Sequence, residues 1–478
     1  RACSPVLPWG SNGVEPWAMI QGLAHRFRGA SLNARFMRGS MFTLGGYAMG
    51  QFLRLASNLI LTRLLFPEAF GLMALVAVIM QGLAMFSDVG VSPAIMQSKR
   101  GDDQHFLDTA WTIQVVRGAL LWLFACLIAI PVSQFYEEPL LAWILPCAGI
   151  SLLIAGFNPT RMDTANRHLL LGRLTALDLV AQVAGLVIAV ALAWYMQSVW
   201  ALVISGIASA VILLVLYNVF LPGQSNRFRW EPEAATELIS FGKWIFLSTI
   251  CGFLYMQGDK LLLGKYLPLD QFGIYNIGFF LASFPLLMGG VLTRKMLIPL
   301  YRERPPAECD ENFRKLQKMR FLLSAAMIAQ TGGVSAAGVV LIDLLYDPRY
   351  AMAGAVVVLI AAMQIPQLIV LTYEQASLAA GDSRRFFVLS AARAVLTLGC
   401  LFVGLAYGGL FGALIGQGLA GVAAYPFVVW MSRHVGAWDP KHDLVFAIAG
   451  AGVIALAIWL NAGAVADLAN LHNPANPG

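Results

Sequence analysis

An arginine inside an apolar run is the first feature of this sequence that could bind a charged ligand. Arg54 lies near the middle of the run 40–64, with Gln51 three residues before it and Asn58 four residues after it. At 3.6 residues per turn, these side chains share one helical face. A diphosphate group needs a fixed cation and several hydrogen-bond donors, and a guanidinium contacts two phosphate oxygens at once. We therefore predict that this face binds an anionic substrate; the alternative is that Arg54 pairs with an acid such as Asp259 and only joins helices.

Three further cations lie within apolar runs. A cation at the centre of a lipid-exposed helix costs about 2.5–3.5 kcal/mol, so such residues normally face a polar cavity or a partner. Arg117, Lys243 and Arg393 are therefore added to the predicted substrate-binding set. All three lie nearer to the cytoplasmic ends of their runs than Arg54 does. Their long side chains could instead extend to the membrane surface, and that alternative stays open.

Ionisable residues of a second group are candidates for ion coupling or gating. Asp259 and Lys260 are adjacent near the end of one apolar run, where the alternative is a structural ion network at a helix end. Glu374 lies beside Tyr373 in another run, where ordinary hydration is the alternative. The sequence shows no catalytic triad, phosphate-cradling loop or metal cluster, and its cysteines lack a CxxC pair. We therefore predict a protein that is not an enzyme, with no cofactor and no metal.

The amino-acid composition indicates whether these side chains lie in a membrane or in water. The 478 residues are 59% hydrophobic and 12% charged, with a mean hydropathy of +0.71, whereas a soluble domain has about 25% charged residues. This predicts an all-α polytopic membrane protein of 12–14 spanning helices. Thirteen runs approach the roughly 20 apolar residues that a bilayer requires, and the odd number suggests a fourteenth span that either follows residue 478 or is absent. The runs are 40–64, 68–92, 108–133, 139–157, 172–196, 198–221, 238–264, 270–292, 319–345, 350–377, 386–407, 409–431 and 443–460.

The positions of the basic residues predict the orientation. Of the 32 Lys and Arg residues, 24 precede the first run or lie in even-numbered connections, and four lie in odd-numbered connections. Positive residues collect on the cytoplasmic side, so we expect a cytoplasmic N-terminus. The net charge of +6 thus needs no nucleic-acid partner. The longest connection, 294–319, is predicted to be an amphipathic helix at the lipid surface, with a regulatory site as the alternative.

An internal repeat divides the chain into two halves. Leu61 to Met73 (LTRLLFPEAFGLM) aligns with Leu263 to Tyr275 (LGKYLPLDQFGIY) at an offset of about 202 residues. Each copy opens a block of about six apolar runs, which predicts two related bundles. Because the sequence starts with Arg1, we interpret 1–36 as an extension or an upstream misreading, with Met19 or Met37 as alternative starts. The predicted domains are an extension at 1–38, bundles at 39–222 and 238–432, a cytoplasmic linker at 223–237, and an extra span with tail at 433–478.

Several longer strings resemble one family. FSDVGVSPAIMQ (Phe86 to Gln97), SVWALVISGIAS (Ser198 to Ser209), MQGDKLLLGKYLPLDQFGIYNIG (Met256 to Gly278), LLYDPRYAMAG (Leu344 to Gly354) and YEQASLAAGDSRRFF (Tyr373 to Phe387) look like the bacterial oligosaccharide flippase or polysaccharide biosynthesis transporter family. That family belongs to the multidrug, oligosaccharidyl-lipid and polysaccharide exporter superfamily. The resemblance runs from about Gly39 to Trp430.

The resemblance implies a fold, a place and a substrate. It implies two six-helix bundles, related by a pseudo-two-fold axis along the membrane normal, that rock about a central cavity in the bacterial inner membrane. The implied substrate is an undecaprenyl-pyrophosphate-linked oligosaccharide, such as an O-antigen, capsule or exopolysaccharide unit, which moves from the inner to the outer leaflet. Partners would be this lipid-linked oligosaccharide, membrane lipid, and assembly proteins such as a polymerase and a chain-length regulator.

Two other functions remain as alternatives. A multidrug or small-molecule antiporter of the same superfamily would place acids at its centre to attract cations, yet the most central charge here is that of Arg54. A membrane glycosyltransferase or polysaccharide polymerase would be expected to carry carboxylates or arginines on a substantial outer loop, and the outer connections are short. Both are therefore less favoured than a flippase.

Overall fold

The structure is a computed structural model that describes residues 32–87, 90–242, 246–303, 305–379 and 383–471. These residues form α-helices joined by turns, with a 3-10 helix at Pro348–Tyr350 and no strand among them. Helical structure follows from the apolar composition, because a helix satisfies its backbone hydrogen bonds within one segment, as the interior of a membrane requires.

The first half of the chain contains nine of the described helices. They are α1 (Leu32–Leu64), α2 (Pro67–Phe86), α3 (Val91–Gln97), α4 (Gln104–Tyr136), α5 (Leu141–Gly156), α6 (Arg161–Arg167), α7 (Leu171–Met196), α8 (Trp200–Phe220) and α9 (Pro232–Gly242). The remaining described helices are α10 (Phe246–Tyr266), α11 (Leu269–Ala282), α12 (Phe284–Glu303), α13 (Asp310–Ala336), α14 (Gly338–Leu345), α15 (Ala353–Met363), α16 (Ile365–Ala379), α17 (Ser383–Ala423), α18 (Tyr425–His434), α19 (Pro440–Leu460) and α20 (Ala462–Asn470).

The membrane-spanning character of the chain is confirmed. Within the described residues, six helical segments are long and apolar enough to cross a membrane, and the number rises to ten if each of four bent helix pairs is one span. One bent pair combines α15 with α16 at an angle of 43°. The all-α, multi-pass class is therefore correct, whereas the predicted total of thirteen spans stays a prediction.

The described residues form two compact units. One consists of residues 66–75 and 248–471, and the other of residues 32–65 and 76–247. We call the first the C unit and the second the N unit. The predicted bundles, 39–222 and 238–432, stay a prediction; the compact units assign residues 66–75, from the start of the first bundle, to the C unit.

The predicted linker lies against the N unit through specific bonds. The amide side chain of Asn226 donates to Thr160 Oγ1 at 2.8 Å, and the backbone N–H of Glu231 donates to Thr109 Oγ1 at 3.2 Å. Arg100 forms an ion pair with the Glu231 carboxylate at 2.9 Å. The linker is therefore fixed to α4 and to the turns beside it.

The two copies of the repeat meet inside the C unit. A Cβ atom on Gly71 would overlap the carbonyl oxygen of Leu269, and one on Gly273 would overlap the carbonyl oxygen of Pro67. Gly273 lies 202 residues after Gly71, and Leu269 lies 202 residues after Pro67. The start of α2 and the start of α11 thus exchange equivalent contacts, which is the pattern of a local two-fold axis.

A second close approach joins the two arms of α17. The helix turns at Gly408 and Gly409, and Gly409 has a positive φ of 54°, which favours glycine. Across the turn, a Cβ on Gly404 would overlap the carbonyl oxygen of Gly412, and a Cβ on Gly412 would overlap that of Gly404. The break between the predicted runs 386–407 and 409–431 is confirmed, and small residues let the two arms pack backbone to backbone.

The connection 294–319 differs from its prediction. α12 continues to Glu303, and α13 begins at Asp310 and runs without a break into the apolar residues that end at Ala336. Leu316 and Arg320 on its first turns are buried. Residues 310–319 are therefore the start of a long helix with one face packed into the C unit, and their predicted position at the lipid surface stays a prediction.

Candidate functional site

The predicted anion-binding face lies on α1 in the N unit. The Arg54 side chain is exposed and has no hydrogen-bond or ion-pair partner within the described part of the chain. Gln51 is half-buried, and its amide donates to Tyr47 Oη at 2.9 Å. Asn58 is also half-buried, and its backbone carbonyl accepts a bond from Thr62 Oγ1 at 2.8 Å. The three side chains thus share α1, and the guanidinium of Arg54 is accessible.

Arg117 is engaged at the end of a neighbouring helix. Its Nη2 donates to the carbonyl oxygen of Ala84 at 2.5 Å, and its Nε donates to Ser87 Oγ at 2.9 Å. Arginines near a helix C-terminus satisfy the last carbonyl groups and interact favourably with the helix dipole. Arg117 on α4 therefore caps α2, and its predicted contact with substrate stays a prediction. Lys243, the third member of the set, lies outside the described residues.

Asp259 and Lys260 lie within α10 and use different partners on α11. Asp259 is 4% exposed, and one carboxylate oxygen accepts a bond from Tyr275 Oη at 2.5 Å. Lys260 donates to Gln257 at 2.8 Å and lies 4.3 Å from the centre of the Phe279 ring. Both residues therefore help to hold α10 against α11. Their predicted role in coupling or gating stays a prediction.

Glu374 and Arg393 form an ion pair with each other. The Glu374 carboxylate on α16 accepts a bond from Arg393 Nη1 on α17. Arg393 is 6% exposed, and its Cζ lies 5.7 Å from the centre of the Tyr255 ring on α10. The sequence assigned these two residues to different sets, one for substrate and one for ions. The structure instead brings them into one site of the C unit.

A small polar cavity borders this ion pair. Its volume is about 40 Å³, room for roughly three water molecules at the 10–15 Å³ that one water requires. Arg393 lines it together with five further polar side chains, none of which the sequence analysis identified: Tyr255, Gln364, Gln367, Thr397 and Gln417. The available signal was Gln364 and Gln367 on either side of Pro366, two amides at a helix breaker within an apolar run.

A second polar cluster was also missed. Arg320 of α13 is fully buried, with Cζ 3.6 Å from the centre of the Tyr373 ring and Nη1 donating to the carbonyl oxygen of Ala437 at 2.5 Å. Tyr373 Oη donates to the Asp443 carboxylate at 2.6 Å, and His442 contacts Asp443 at 3.0 Å. This network connects α13, α16 and α19. Its full burial makes it a structural connection of the last long helix to the C unit.

In the described ranges, no group of three or more His, Cys, Asp or Glu side chains is arranged to hold a metal ion. The polar groups described above are suited to binding and to charge compensation.

A family model described as polysaccharide biosynthesis protein matches residues 60–351. The chain belongs to this polysaccharide biosynthesis protein family. The match includes α2, both copies of the repeat and most of the Leu344 to Gly354 string, so the resemblance seen in the sequence is confirmed.

Relatives of this chain are named for the biosynthesis or transport of polysaccharides. The chain is 20% identical over 251 residues to the teichuronic acid biosynthesis protein TuaB of Bacillus subtilis (strain 168), covering 52% of each protein. It is 25% identical over 228 residues to the succinoglycan biosynthesis transport protein ExoT of Rhizobium meliloti (strain 1021), covering 47% of this chain and 45% of that protein. The chain thus spans about half the length of these relatives.

The fold is similar to that of solved membrane proteins. The inward closed conformation of the lipid II flippase MurJ superposes with a TM-score of 0.67 at 9% identity, covering 90% of this chain and 98% of that one. A MATE structure in complex with Br-NRF gives a TM-score of 0.54 at 14% identity, covering 86% and 98%. The polysaccharide biosynthesis family member therefore has the fold of these membrane proteins.

Proposed function

We propose that this protein is a flippase of the bacterial inner membrane. Its substrate would be an undecaprenyl-pyrophosphate-linked oligosaccharide, moved from the cytoplasmic to the periplasmic leaflet by alternating access, with the N-terminus in the cytoplasm. Support comes from the family, from relatives named for polysaccharide biosynthesis or transport, and from a fold shared with a lipid II flippase. A polymerase and a chain-length regulator would act on the delivered unit.

The observation that carries the proposal is the state of Arg54. A cation in the predicted span 40–64 would need a counter-charge or a polar ligand, and within the described residues Arg54 has neither although its side chain is exposed. A diphosphate head group would supply the counter-charge while the prenyl tail stays in lipid. Outward movement of negative charge is favoured by an inside-negative membrane potential, by about 2.3 kcal/mol per charge per 100 mV.

The direct test reverses the charge of this residue. Arg54→Glu should abolish export of polysaccharide while the protein remains in the membrane, because the carboxylate repels the diphosphate. Arg227→Glu is the matched control, since Arg227 is exposed in the linker and undergoes the same change of charge. Full export by Arg54→Glu would remove Arg54 from the mechanism.

One observation favours the alternative of a cation antiporter. Asp259 is a buried acid in α10, and its Oδ1 atom has no partner among the described residues. A buried carboxylate of this kind could take up a proton or a small cation. If Asp259→Asn abolished drug resistance conferred by the protein and left polysaccharide export intact, the antiporter would replace the flippase.

A further inference from the structure

The cavity beside the Glu374–Arg393 pair lies where a spanning segment is broken. α15 ends at Met363, α16 begins at Ile365, and the two helices differ in direction by 43°. Pro366 cannot donate a backbone hydrogen bond, so the break leaves carbonyl groups without helical partners. Broken helices that surround polar space are a common way to build ligand sites in membrane proteins.

Several hydrogen-bond donors line the cavity, together with one buried acceptor that lacks a donor. Arg393, Thr397 and Gln417 can all donate to a ligand. Arg393 Nη2 and Gln364 Oε1 are both buried without a hydrogen-bond partner in the described residues. A buried polar atom that lacks a partner costs about 1–3 kcal/mol. A ligand that carries both an accepting oxygen and a donating hydroxyl group would satisfy both atoms.

Charge balance restricts the ligand further. The titratable and charged groups around the pair are Glu374, Arg393 and Tyr255. Arg393 Nη1 already donates to the Glu374 carboxylate. This carboxylate therefore occupies the contact with the guanidinium that a ligand anion would otherwise make. An incoming anion has to occupy Nη2 next to Glu374 or displace it, and either step becomes easier when Glu374 is neutral.

We propose that this cavity of the C unit is a subsite for an oxyanion that carries a neighbouring hydroxyl group, with Glu374 as its internal competitor. An acidic sugar and a hydrogen phosphate group share this chemistry. The cavity admits such a group and not a whole sugar ring. The site rests on the proposed function only in assuming that the oxyanion belongs to the transported glycan or its phosphate.

The test measures binding without transport. Full-length protein in lipid nanodiscs is titrated with sodium glucuronate at constant ionic strength set by sodium chloride, and the dissociation constant is obtained from the rise in Tm. Parallel arms use inorganic phosphate and uncharged glucose. We expect glucuronate or phosphate to raise Tm and glucose to have no effect. The arm with the larger response identifies an acidic sugar or a phosphate as the ligand.

Variants decide whether the response comes from this cavity. Arg393→Gln should abolish the rise in Tm, whereas Glu374→Gln should bind about tenfold more tightly, which corresponds to about 1.4 kcal/mol. A merely structural ion pair would predict no gain for Glu374→Gln. Glu303→Gln, an exposed acid at the end of α12, is the matched control and should behave as wild type.

If Glu374→Gln does not fold, the anion arms together with Arg393→Gln decide the proposal. It is overturned if no anion raises Tm, if Arg393→Gln responds as wild type does, or if a folded Glu374→Gln fails to strengthen binding. Because export is not measured, loss of this site leaves the flippase proposal intact.

Discussion

Gly71 and Gly273 occupy equivalent positions in the two copies of the repeat, and each packs against the backbone that precedes the other. The added Cβ of either residue would overlap a carbonyl oxygen of the opposite segment. Backbone atoms cannot move aside as a flexible side chain can. The absence of a side chain at both positions is therefore what allows the starts of α2 and α11 to meet.

Alanine at either position should destabilise this contact. Overpacking typically costs about 1–3 kcal/mol, so we expect Gly71→Ala and Gly273→Ala each to lower Tm in nanodiscs. The double variant should cost less than the sum, since both residues act on one contact. Gly206→Ala is the control, because a Cβ there meets open space and alanine favours a helix by about 1 kcal/mol. Equal Tm values for all three single variants would show that the contact is not tight.

Loss of the Arg117 guanidinium should loosen the C-terminus of α2. Arg117→Gln removes the charge-assisted bond to the carbonyl of Ala84, which is worth about 1.5–3 kcal/mol. We expect faster amide exchange at residues 83–87, measured by hydrogen exchange with mass spectrometry. Exchange elsewhere in α4 should be unchanged. Unaltered exchange at 83–87 together with lost export would instead favour the predicted contact of Arg117 with substrate.

The buried Arg320 should contribute strongly to the stability of the C unit. Arg320→Met keeps most of the volume but removes the bond to Ala437 and the cation–π contact with Tyr373. Because a buried donor set is lost and its acceptor is left unsatisfied, we expect a loss of about 2–4 kcal/mol. Lys318→Met, at an exposed position on the same helix, should change stability by less than about 0.5 kcal/mol. Similar Tm values for both variants would contradict the assignment.

The linker contact should depend on pH in one direction. The Arg100 guanidinium holds the pKa of the Glu231 carboxyl below its ordinary value of 4.5. Because the pKa is lowered by folding, the contribution to stability is complete above pH 4.5 and is lost as the pH falls through the folded pKa. We expect the Tm difference between wild type and Arg100→Gln to be constant near neutral pH and to shrink below about pH 4.5. A difference that grows in acid would rule out this pair.

Lys243 provides a graded test of the predicted substrate set. Lys243→Ala should reduce export at limiting substrate if the ammonium group contacts the diphosphate. Unchanged export under these conditions would indicate that its side chain extends to the membrane surface instead. Membrane abundance of the variant, measured by immunoblotting, separates lost transport from lost protein.

The sequence alone determined the helical, membrane-spanning class, the internal repeat and the family. These properties follow from local composition, because a segment in lipid has to satisfy its own backbone hydrogen bonds and therefore forms a helix wherever about 20 apolar residues follow one another. The turn at Gly408 and Gly409 could also be predicted, since glycine tolerates the positive φ that it requires.

Tertiary structure alone decided the partners of the polar side chains. Glu374 meets Arg393 because α16 and α17 pack with those faces together, and Arg320 is buried because one face of α13 turns inward. Sequence patterns assigned no role to Arg320, since a sequence pattern records which residues share a helical face but not what that face contacts. Rotation and packing of each helix fix the partner, and these depend on residues that are distant along the chain.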